Sequence, residues 1–423
     1  MIAAFITAIY APAQADPILT VDLSILTVFA GSSPAFEAGY ITTGARSTIY
    51  GNFLAGDVST VGASGSVTGN ATTVNAATIG GYFDASYSGS KVGGNISSGG
   101  VATAGDSSNI GGNLTSSGAV SVGARSTANG SVTSGGVGSL GASGVIGGNF
   151  VLLNAAGSAG ANAKVGGNMS AAGLLSAAID VIIGGGLLSG GGFSATTPGL
   201  KLTLNLPPSS VALDAVRHDV RQESQDVKNA QGKLSAMPNS VGKMGSDINN
   251  NNNITSQLAP TITINTTLNA GVYSAASLST TAGQILFLDA KGLDNQTWVF
   301  NITDILAFGG DTTTQIINAG KNDNVFWNVS NGYASVGAGA LLTGNVLAKT
   351  YISVGANAIV TGTNGTCVGL FSQNSFVSTG DSAQIGSAGC GVDVPEPATH
   401  TMLLAGLGLL ALGVHRKTRA QAR

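Results

Sequence analysis

A repeat of 18 residues constrains the fold of this chain more than any other feature of its sequence. The residues that follow each Gly-Asn pair, or its equivalent, are separated by 18, 25, 18, 18, 18 and 19 positions, and the longest step holds an insertion around residues 82–91. These residues are Phe53, Ala71, Ile96, Leu114, Val132, Phe150 and Met169. A fixed period of this kind is typical of repeat folds. The alternative, a low-complexity Gly/Ser/Asn linker, would not keep apolar columns in register.

Apolar columns within the repeat predict a triangular β-solenoid, a mainly β fold. The two columns are Val67, Ile110, Ala128, Ile146 and Val165, and Val61, Ile79, Ala104, Val122 and Leu140. One repeat can form three sides of about six residues each, and each coil would rise about 4.8 Å, the spacing of β-strands. We expect the glycines to supply corner conformations with positive φ. We expect the asparagines to form amide ladders between coils.

Residues 207–238 depart from the repeat and predict one long α-helix packed alongside the coils. Pro207 and Pro208 end the glycine-rich region, and Ser209 or Ser210 can cap a helix. The apolar residues that recur at helical spacing are Leu213, Val216, Val220, Val227 and Leu234. Charged residues occupy the other face, so we expect the apolar stripe to cover part of the solenoid wall. The alternative is a helix that binds a partner or forms a coiled coil.

The N-terminus predicts export. Residues 2–12 are apolar, and Ala13-Gln14-Ala15 forms a small-x-small cleavage site, which together indicate a signal peptide at 1–15. The alternative is a frayed apolar N-terminus. The predicted parts of the mature chain are a solenoid body (16–390), which contains Gly-rich coils (41–206), the helix (207–238) and C-terminal coils (259–390), and a sorting and anchor segment (391–423).

The C-terminal segment predicts sorting and a membrane anchor. Val394-Pro395-Glu396-Pro397 precedes an apolar run at 402–414 and a basic tail. The run is shorter than the roughly 20 residues that span a bilayer comfortably, but thinning of the bilayer would let it form a transmembrane helix. The order of motif, apolar run and basic tail resembles the PEP-CTERM sorting signal of exported Gram-negative bacterial proteins. That resemblance implies processing by an exosortase, a transient anchor in the inner membrane, and a final location at the cell surface or outside the cell.

The two cysteines, Cys367 and Cys390, both lie in the part of the chain predicted to be exported. Export permits a disulfide, and closing this loop would stabilise the fold by about 3 kcal/mol in the chain-entropy model. The alternative is two unrelated buried thiols.

From Leu268 onward the sequence resembles the bacterial ice-binding-like (adhesive) family. The matching stretches are Leu268–Ser274, Thr297–Ile302, Asn324–Val329, Leu342–Ala348, Ile352–Ala356 and Val360–Gly362. Family members are β-solenoids with one long helix between early and late strands, which is where 207–238 lies. The resemblance implies binding to ice or, in other members, adhesion. The chain departs from the family by adding coils at 71–200 and by carrying Gly362-Thr363 in place of the usual Gly-Arg.

Composition and residue placement argue against an enzyme and predict no metal site and no cofactor. Only 9% of residues are charged and the net charge is −3, which gives no electrostatic footprint for nucleic acid. The three histidines, His218, His400 and His415, lie on the predicted helix and in the anchor. Charged residues between 41 and 200 occupy different phases of the repeat, so they do not gather acids and bases on one wall.

One column of hydroxyl residues is the candidate binding face. Its members are Thr60, Thr78, Thr103, Ser121 and Ser139, with Ser158 slightly shifted. Each adjoins an inward apolar residue, so strand alternation would turn it outward, although a phase shift at a corner would turn it inward. The sequence therefore predicts an exported, non-catalytic protein that binds ice, ordered water or a surface glycan through a flat wall. The alternatives are an adhesive or structural component of the cell surface or exopolysaccharide matrix, and a column that only reflects the preference of Ser and Thr for strands.

Overall fold

The structure is a computed structural model of the 423-residue chain. It describes residues 19, 23, 25–31, 39–80, 89–195, 213–236, 240–241, 258–362 and 367–387. The predicted signal peptide and the predicted sorting and anchor segment, with its transmembrane helix, lie outside the described residues. Within the described ranges, no helix is both long and apolar enough to cross a membrane.

In the described part of the chain, 26 short strands precede the helix. They are β1 (Leu26–Ala30), β2 (Ile41–Thr43), β3 (Thr48–Ile49), β4 (Asn52–Ala55), β5 (Val58–Val61), β6 (Ser66–Val67), β7 (Ala71–Thr73), β8 (Ala76–Ile79), β9 (Lys91–Val92), β10 (Ile96–Ser98), β11 (Ala102–Ala104), β12 (Asn109–Ile110), β13 (Leu114–Ser116), β14 (Val120–Val122), β15 (Thr127–Ala128), β16 (Val132–Ser134), β17 (Gly138–Leu140), β18 (Val145–Ile146), β19 (Phe150–Leu152), β20 (Gly157–Ala159), β21 (Lys164–Val165), β22 (Met169–Ala171), β23 (Leu175–Ala177), β24 (Ile182–Ile183), β25 (Leu187–Ser189) and β26 (Phe193–Ala195).

The long helix and the longer strands follow. They are α1 (Leu213–Ser235), β27 (Ser240–Val241), β28 (Thr261–Ile262), β29 (Thr266–Asn269), β30 (Gly271–Thr280), β31 (Ile285–Asp289), β32 (Thr297–Phe308), β33 (Thr313–Ile317), β34 (Asn324–Val329), β35 (Tyr333–Val336), β36 (Leu341–Thr343), β37 (Asn345–Ala348), β38 (Ile352–Val354), β39 (Ile359–Thr361), β40 (Leu370–Ser372), β41 (Val377–Thr379) and β42 (Gln384–Ile385).

These strands form three walls of one solenoid, and neighbouring strands within a wall pair in parallel. The first wall contains β1, β4 and every third strand to β25, together with β40, β37 and β34. The second wall contains β2, β5 and every third strand to β26, together with β41, β38 and β35. The third wall is a separate sheet from β24 through β3 and β42 to β29. The long strands β30 and β32 run from the first wall into the second, and only β27 pairs antiparallel within the described part. The structure thus confirms the mainly β solenoid with one helix.

The stack does not follow the order of the chain. The coil of β1, β2 and β3 pairs on one side with the next coil of the chain, and on the other side with the last coil, β40, β41 and β42. The coils of β4–β26 therefore extend in one direction from β1, and the coils of β28–β42 extend in the other. We call them the upper and lower coils, and the two sets form one continuous stack.

The helix α1 packs against the first wall of the lower coils and of the adjoining strands β1 and β4, as its apolar stripe predicts. Val227, Ala230 and Leu234 form a buried cluster with outward-facing residues of that wall. Those wall residues are Phe29, Leu54, Val272, Val299, Phe326, Leu347 and Phe371. Asn301 and Asn328 donate from Nδ2 to the carbonyl oxygens of Leu234 (2.8 Å) and Gln231 (3.2 Å). The helix is therefore fixed to the solenoid by apolar packing and by buried hydrogen bonds near its C-terminus.

The repeat glycines allow close stacking of coils instead of left-handed turns. A Cβ added at Gly111 would lie 1.9 Å from the carbonyl oxygen of Gly93 in the coil below. At the corner between the second and third walls, the residues with positive φ in the upper coils and the β1–β3 coil are Arg46, Ser64, Ser107, Arg125, Ser143, Asn162 and Asp180. The expectation that glycine supplies the corner conformation is therefore wrong at this corner. The repeat glycines are needed instead where the backbones of two coils approach too closely to admit a side chain.

The predicted asparagine ladder is present, but its partners are backbone groups and not neighbouring amides. The Oδ1 atoms of Asn52, Asn70 and Asn95 each accept a hydrogen bond of 2.7 Å from the backbone N–H of the equivalent residue in the next coil. Asn113 accepts in the same way from Ser131 at 2.8 Å. Each asparagine thus satisfies a backbone donor at the corner where the wall begins.

We expect the variant Asn113→Ala to lose about 1 kcal/mol of unfolding free energy, since the N–H of Ser131 would lose its partner at a site that water can reach. Urea denaturation measures this change. Asn109→Ala is the control, because Asn109 is exposed on the third wall and its substitution should stay within about 0.5 kcal/mol of the parent. Equal losses in the two variants would contradict a role for the ladder.

Candidate functional site

The second wall carries an unbroken outward column of hydroxyl residues. Each member pairs in register with the next, from the lower coils to the top of the stack. The members are Ser335, Ser353, Ser378, Thr42, Thr60, Thr78, Thr103, Ser121, Ser139, Ser158, Ser176 and Ser194. At the strand spacing these coils extend over about 50 Å. We call this set the hydroxyl column.

The structure turns all five residues of the predicted face outward. They are Thr60, Thr78, Thr103, Ser121 and Ser139, and each lies between two buried neighbours of its strand. No phase shift at the corner turns them inward. Ser158 is in register with Ser139 as well, so its one-residue offset in the sequence is absorbed at a corner. That these residues bind a ligand stays a prediction.

The column is longer than the sequence indicated. Ser335 and Ser353 belong to the Ser-Val-Gly-Ala motifs that recur late in the chain, but only the stacking of the last coil on the first brings them into line with Thr42 and Thr60. The repeated Ser-Val-Gly-Ala motif is the sequence signal for these two residues. It does not indicate the order in which the coils stack.

The threonine hydroxyls in the middle of the column face solvent. Within the described part of the chain, the side chains of Thr60, Thr78 and Thr103 form no hydrogen bond to protein, whereas Ser139 donates to Ser121 at 3.2 Å. Because a β-branched side chain on a strand has few rotamers, these hydroxyl and methyl groups are held at fixed positions. They form a row of donors and acceptors that only water or a ligand can satisfy.

An apolar column lies beside the hydroxyls, two residues earlier in each coil. In the upper coils it consists of small or aliphatic residues, and it is exposed at Val101 (47%), Val137 (56%) and Leu174 (47%). Ala156 occupies this column in its coil, because its carbonyl accepts from the backbone N–H of Gly138 as that of Val137 does from Val120. Hydroxyl and apolar groups therefore alternate across the upper part of the wall.

In the lower coils from β35 onward, and in the β1–β3 coil stacked on them, the same position holds aromatic residues, which we call the aromatic ladder. Tyr333 stacks on Tyr351 (4.5 Å between ring centroids), Tyr351 on Phe376 (4.9 Å) and Phe376 on Tyr40 (4.7 Å), all nearly parallel. Partial burial raises the pKa of Tyr351, and the adjacent Tyr333 raises it further. Tyr351 is consequently uncharged at neutral pH. The ladder cannot be seen in the sequence, because its rings are far apart in the chain.

The other two walls are less suited to a flat ligand. The lower first wall is covered by α1. The outward column of the third wall mixes exposed Lys91, Asn109, Lys164 and Ile182. The second wall is free of the helix, and neither its hydroxyl column nor its apolar column includes an ionisable residue in the upper coils.

Two further predictions concern the cysteines and the side chains that could bind a metal ion. Cys367 is disulfide-bonded, while Cys390 lies outside the described residues, so the Cys367–Cys390 pairing stays a prediction. Among the described residues, no group of three or more His, Cys, Asp or Glu side chains could hold a metal ion.

The geometry defines a helix-flanked β-solenoid with a regular outward hydroxyl column, and comparison with protein families agrees with this fold. The model of the ice-binding-like family matches residues 156–378, more than half of the chain, so the chain belongs to the ice-binding-like family. This match begins well before the stretches from Leu268 that carried the resemblance. The PEP-CTERM protein-sorting motif matches residues 393–417, which confirms the predicted Val394–Pro397 motif. The motif indicates export and sorting to the cell surface.

Several solved structures are similar to this chain. The ice-binding protein of the Antarctic ascomycete Antarctomyces psychrotrophicus is 14% identical, with 87% of this chain and 97% of that chain covered and a TM-score of 0.39. A glycosylated ice-binding protein from an Arctic yeast is 16% identical, with coverages of 55% and 90% and a TM-score of 0.33. An ice-binding protein domain of Shewanella frigidimarina is 20% identical, with coverages of 52% and 89% and a TM-score of 0.31. No curated protein matches the chain.

Proposed function

We propose that this protein is an exported, non-catalytic surface protein that binds ice, or another ordered water surface, through the second wall. The observation that carries the proposal is the hydroxyl column, uncovered by α1 and regular over twelve coils. Membership of the ice-binding-like family supports it.

The chemistry of the wall suits ordered water. The free hydroxyls of Thr60, Thr78 and Thr103 can each exchange hydrogen bonds with a bound water, and the apolar groups beside them leave adjacent waters bonded to one another. Each contact is weak, but the wall is rigid, so binding orders few protein groups. A long row of such contacts therefore adds up over a crystal surface.

We expect Thr103→Tyr to weaken binding to ice about tenfold, which corresponds to ~1.4 kcal/mol, and thereby to lower thermal hysteresis, because the ring would hold the wall away from a flat surface. Thermal hysteresis and inhibition of ice recrystallisation by the 16–390 fragment measure this. Thr115→Tyr is the matched control, since Thr115 is an outward threonine of the neighbouring coil on the first wall. Absence of ice shaping by the parent, or equal activity of Thr103→Tyr and the parent, would contradict the proposal.

The second candidate function is adhesion within the cell surface or exopolysaccharide matrix of a Gram-negative bacterium, with a surface glycan as partner. The sorting motif favours it. On this proposal the signal peptide at 1–15 is removed, the apolar run at 402–414 anchors the chain briefly in the inner membrane, and an exosortase processes it. A deletion strain should then lose surface attachment, and unchanged biofilm formation would count against adhesion.

A further inference from the structure

The aromatic ladder ends at Tyr40, and among the described residues one face of its ring has no aromatic neighbour. Phe376 covers the lower face at 4.7 Å with an interplanar angle of 5°. The residue above Tyr40 in the same column is Val58, followed by Ala76. Because valine and alanine are much shorter than tyrosine, the outer part of the Tyr40 ring stands above them as a step on the wall.

Polar groups flank this step on the side of the first wall. Asp57 lies in the coil above Gly39, to whose carbonyl its backbone N–H donates at 2.9 Å. Asn75, one coil higher, donates from Nδ2 to Asp57 Oδ1. The carbonyl of Asp57 accepts from the backbone N–H of Asn75 and from the Thr73 hydroxyl, so the corner is held rigidly. Within the described part of the chain, the second carboxylate oxygen of Asp57 and Oδ1 of Asn75 form no hydrogen bond to protein.

Hydroxyl groups flank the step on its other side. Thr42 of strand β2 lies two residues after Tyr40, and Thr60 pairs with Thr42 in the coil above. The step thus has an aromatic face, a carboxylate and an amide on one side, and two hydroxyls on the other. The carboxylate can accept hydrogen bonds from hydroxyl groups of a ligand, and the amide can both accept and donate them.

We propose that this step binds a neutral polysaccharide chain, with one sugar ring lying over Val58 and against the free face of Tyr40. The C–H groups of a sugar face would pack on the ring. Its hydroxyls would donate to Asp57 and exchange hydrogen bonds with Asn75 and Thr60. The Asp57 carboxylate disfavours an acidic polysaccharide. This site shares Thr42 and Thr60 with the hydroxyl column, but saccharide binding there does not depend on ice binding.

Titration calorimetry above freezing tests the proposal with cellohexaose, laminarihexaose and maltohexaose as neutral probes and polygalacturonate as an acidic one. We expect at least one neutral probe to bind with a Kd of about 1 mM, and polygalacturonate not to bind. Tyr40→Ala should weaken binding about tenfold, whereas Tyr40→Phe, which keeps the aromatic face, should bind like the parent. Tyr333→Ala, at the other end of the ladder, is the matched control and should also bind like the parent.

Several outcomes would overturn this site. They are no neutral probe binding more tightly than about 10 mM, unchanged binding in Tyr40→Ala, and preference for polygalacturonate. Asn75→Ala is a second variant, chosen because the side chain of Asn75 is exposed and outside the core. It should weaken saccharide binding about threefold and leave the melting temperature unchanged. Unchanged binding in this variant would also overturn the site. Thermal hysteresis separates the two proposals, since a saccharide site that fails leaves the ice activity of the parent intact.

Discussion

Gly111→Ala is expected to destabilise the protein by about 3 kcal/mol, near the upper end of the usual range for overpacking, although it adds one methyl group. The new Cβ would lie 1.9 Å from the carbonyl oxygen and 2.7 Å from the carbonyl carbon of Gly93. Both are backbone atoms of the stacked coil, which cannot rotate away as a side chain can. The two coils would have to separate, and the hydrogen bond from Gly111 N–H to the Val92 carbonyl (2.7 Å) would lengthen. Urea denaturation measures the loss.

Gly232→Ala is the matched control on α1. A Cβ at Gly232 meets no atom within 4 Å, and alanine is more favourable than glycine within a helix by about 1 kcal/mol. This variant should therefore be more stable than the parent. The opposite signs of the two glycine-to-alanine changes would show that space, and not backbone freedom, selects the repeat glycines. A stabilised Gly111→Ala would contradict the stacking explanation.

Much of the fold could be predicted because the inward-facing apolar residues recur in the sequence at the spacing of the repeat. Val61, Ile79 and Leu140 are buried as their column indicates. The helix was readable because Val227 and Leu234 recur at helical spacing, and both are buried against the wall. The helix spans Leu213–Ser235 and ends before the predicted residue 238, while residues 207–212 lie outside the described residues.

The stacking order and the purpose of the glycines could not be predicted in this way. A period in sequence does not say whether the last coil lies beside the first, and the pairing of Ile385 with Ile49 is a contact between the two ends of the described chain. Likewise Gly111 looks the same in sequence whether it provides a turn or permits a close approach. Only the position of Gly93 in the neighbouring coil distinguishes the two.

The candidate site was predicted in part for a similar reason. Alternation fixed the outward direction of Thr60 and Thr78 once they were assigned to strands. The step at Tyr40 joins residues whose closeness depends on the junction between the last and first coils, because Phe376 and Tyr40 meet only there. Sequence spacing within one repeat carries no trace of that junction.

Trp327→Ala is expected to lower the free energy of unfolding by about 4 kcal/mol, as for other large aromatic residues removed from a core. The side chain is fully buried, stacks on Phe300 with 4.0 Å between centroids, and contacts Phe308 edge-on. Its Nε1 donates to the carbonyl oxygen of Thr343 at 2.9 Å. In Trp327→Ala this buried carbonyl would lose its hydrogen-bond donor. Trp327→Phe keeps the stacking and should lose about 1–2 kcal/mol. Tyr351→Ala, which removes a half-exposed ring of the aromatic ladder, should cost clearly less than Trp327→Ala.

Hydrogen exchange should show where the Trp327→Ala loss is felt. In a solenoid each coil contacts mainly its neighbours, so stability is close to a sum of coil and interface terms. Asn328, the next residue, donates to Gln231 and to Ser235 of α1, so protection should fall in β34, in its neighbouring strands and in the C-terminal half of α1. The upper coils, which include Thr103 and Ser139, should keep their protection. A uniform loss along the whole stack would instead mean that the solenoid unfolds as one cooperative unit, and the upper wall could then not act independently of the lower coils.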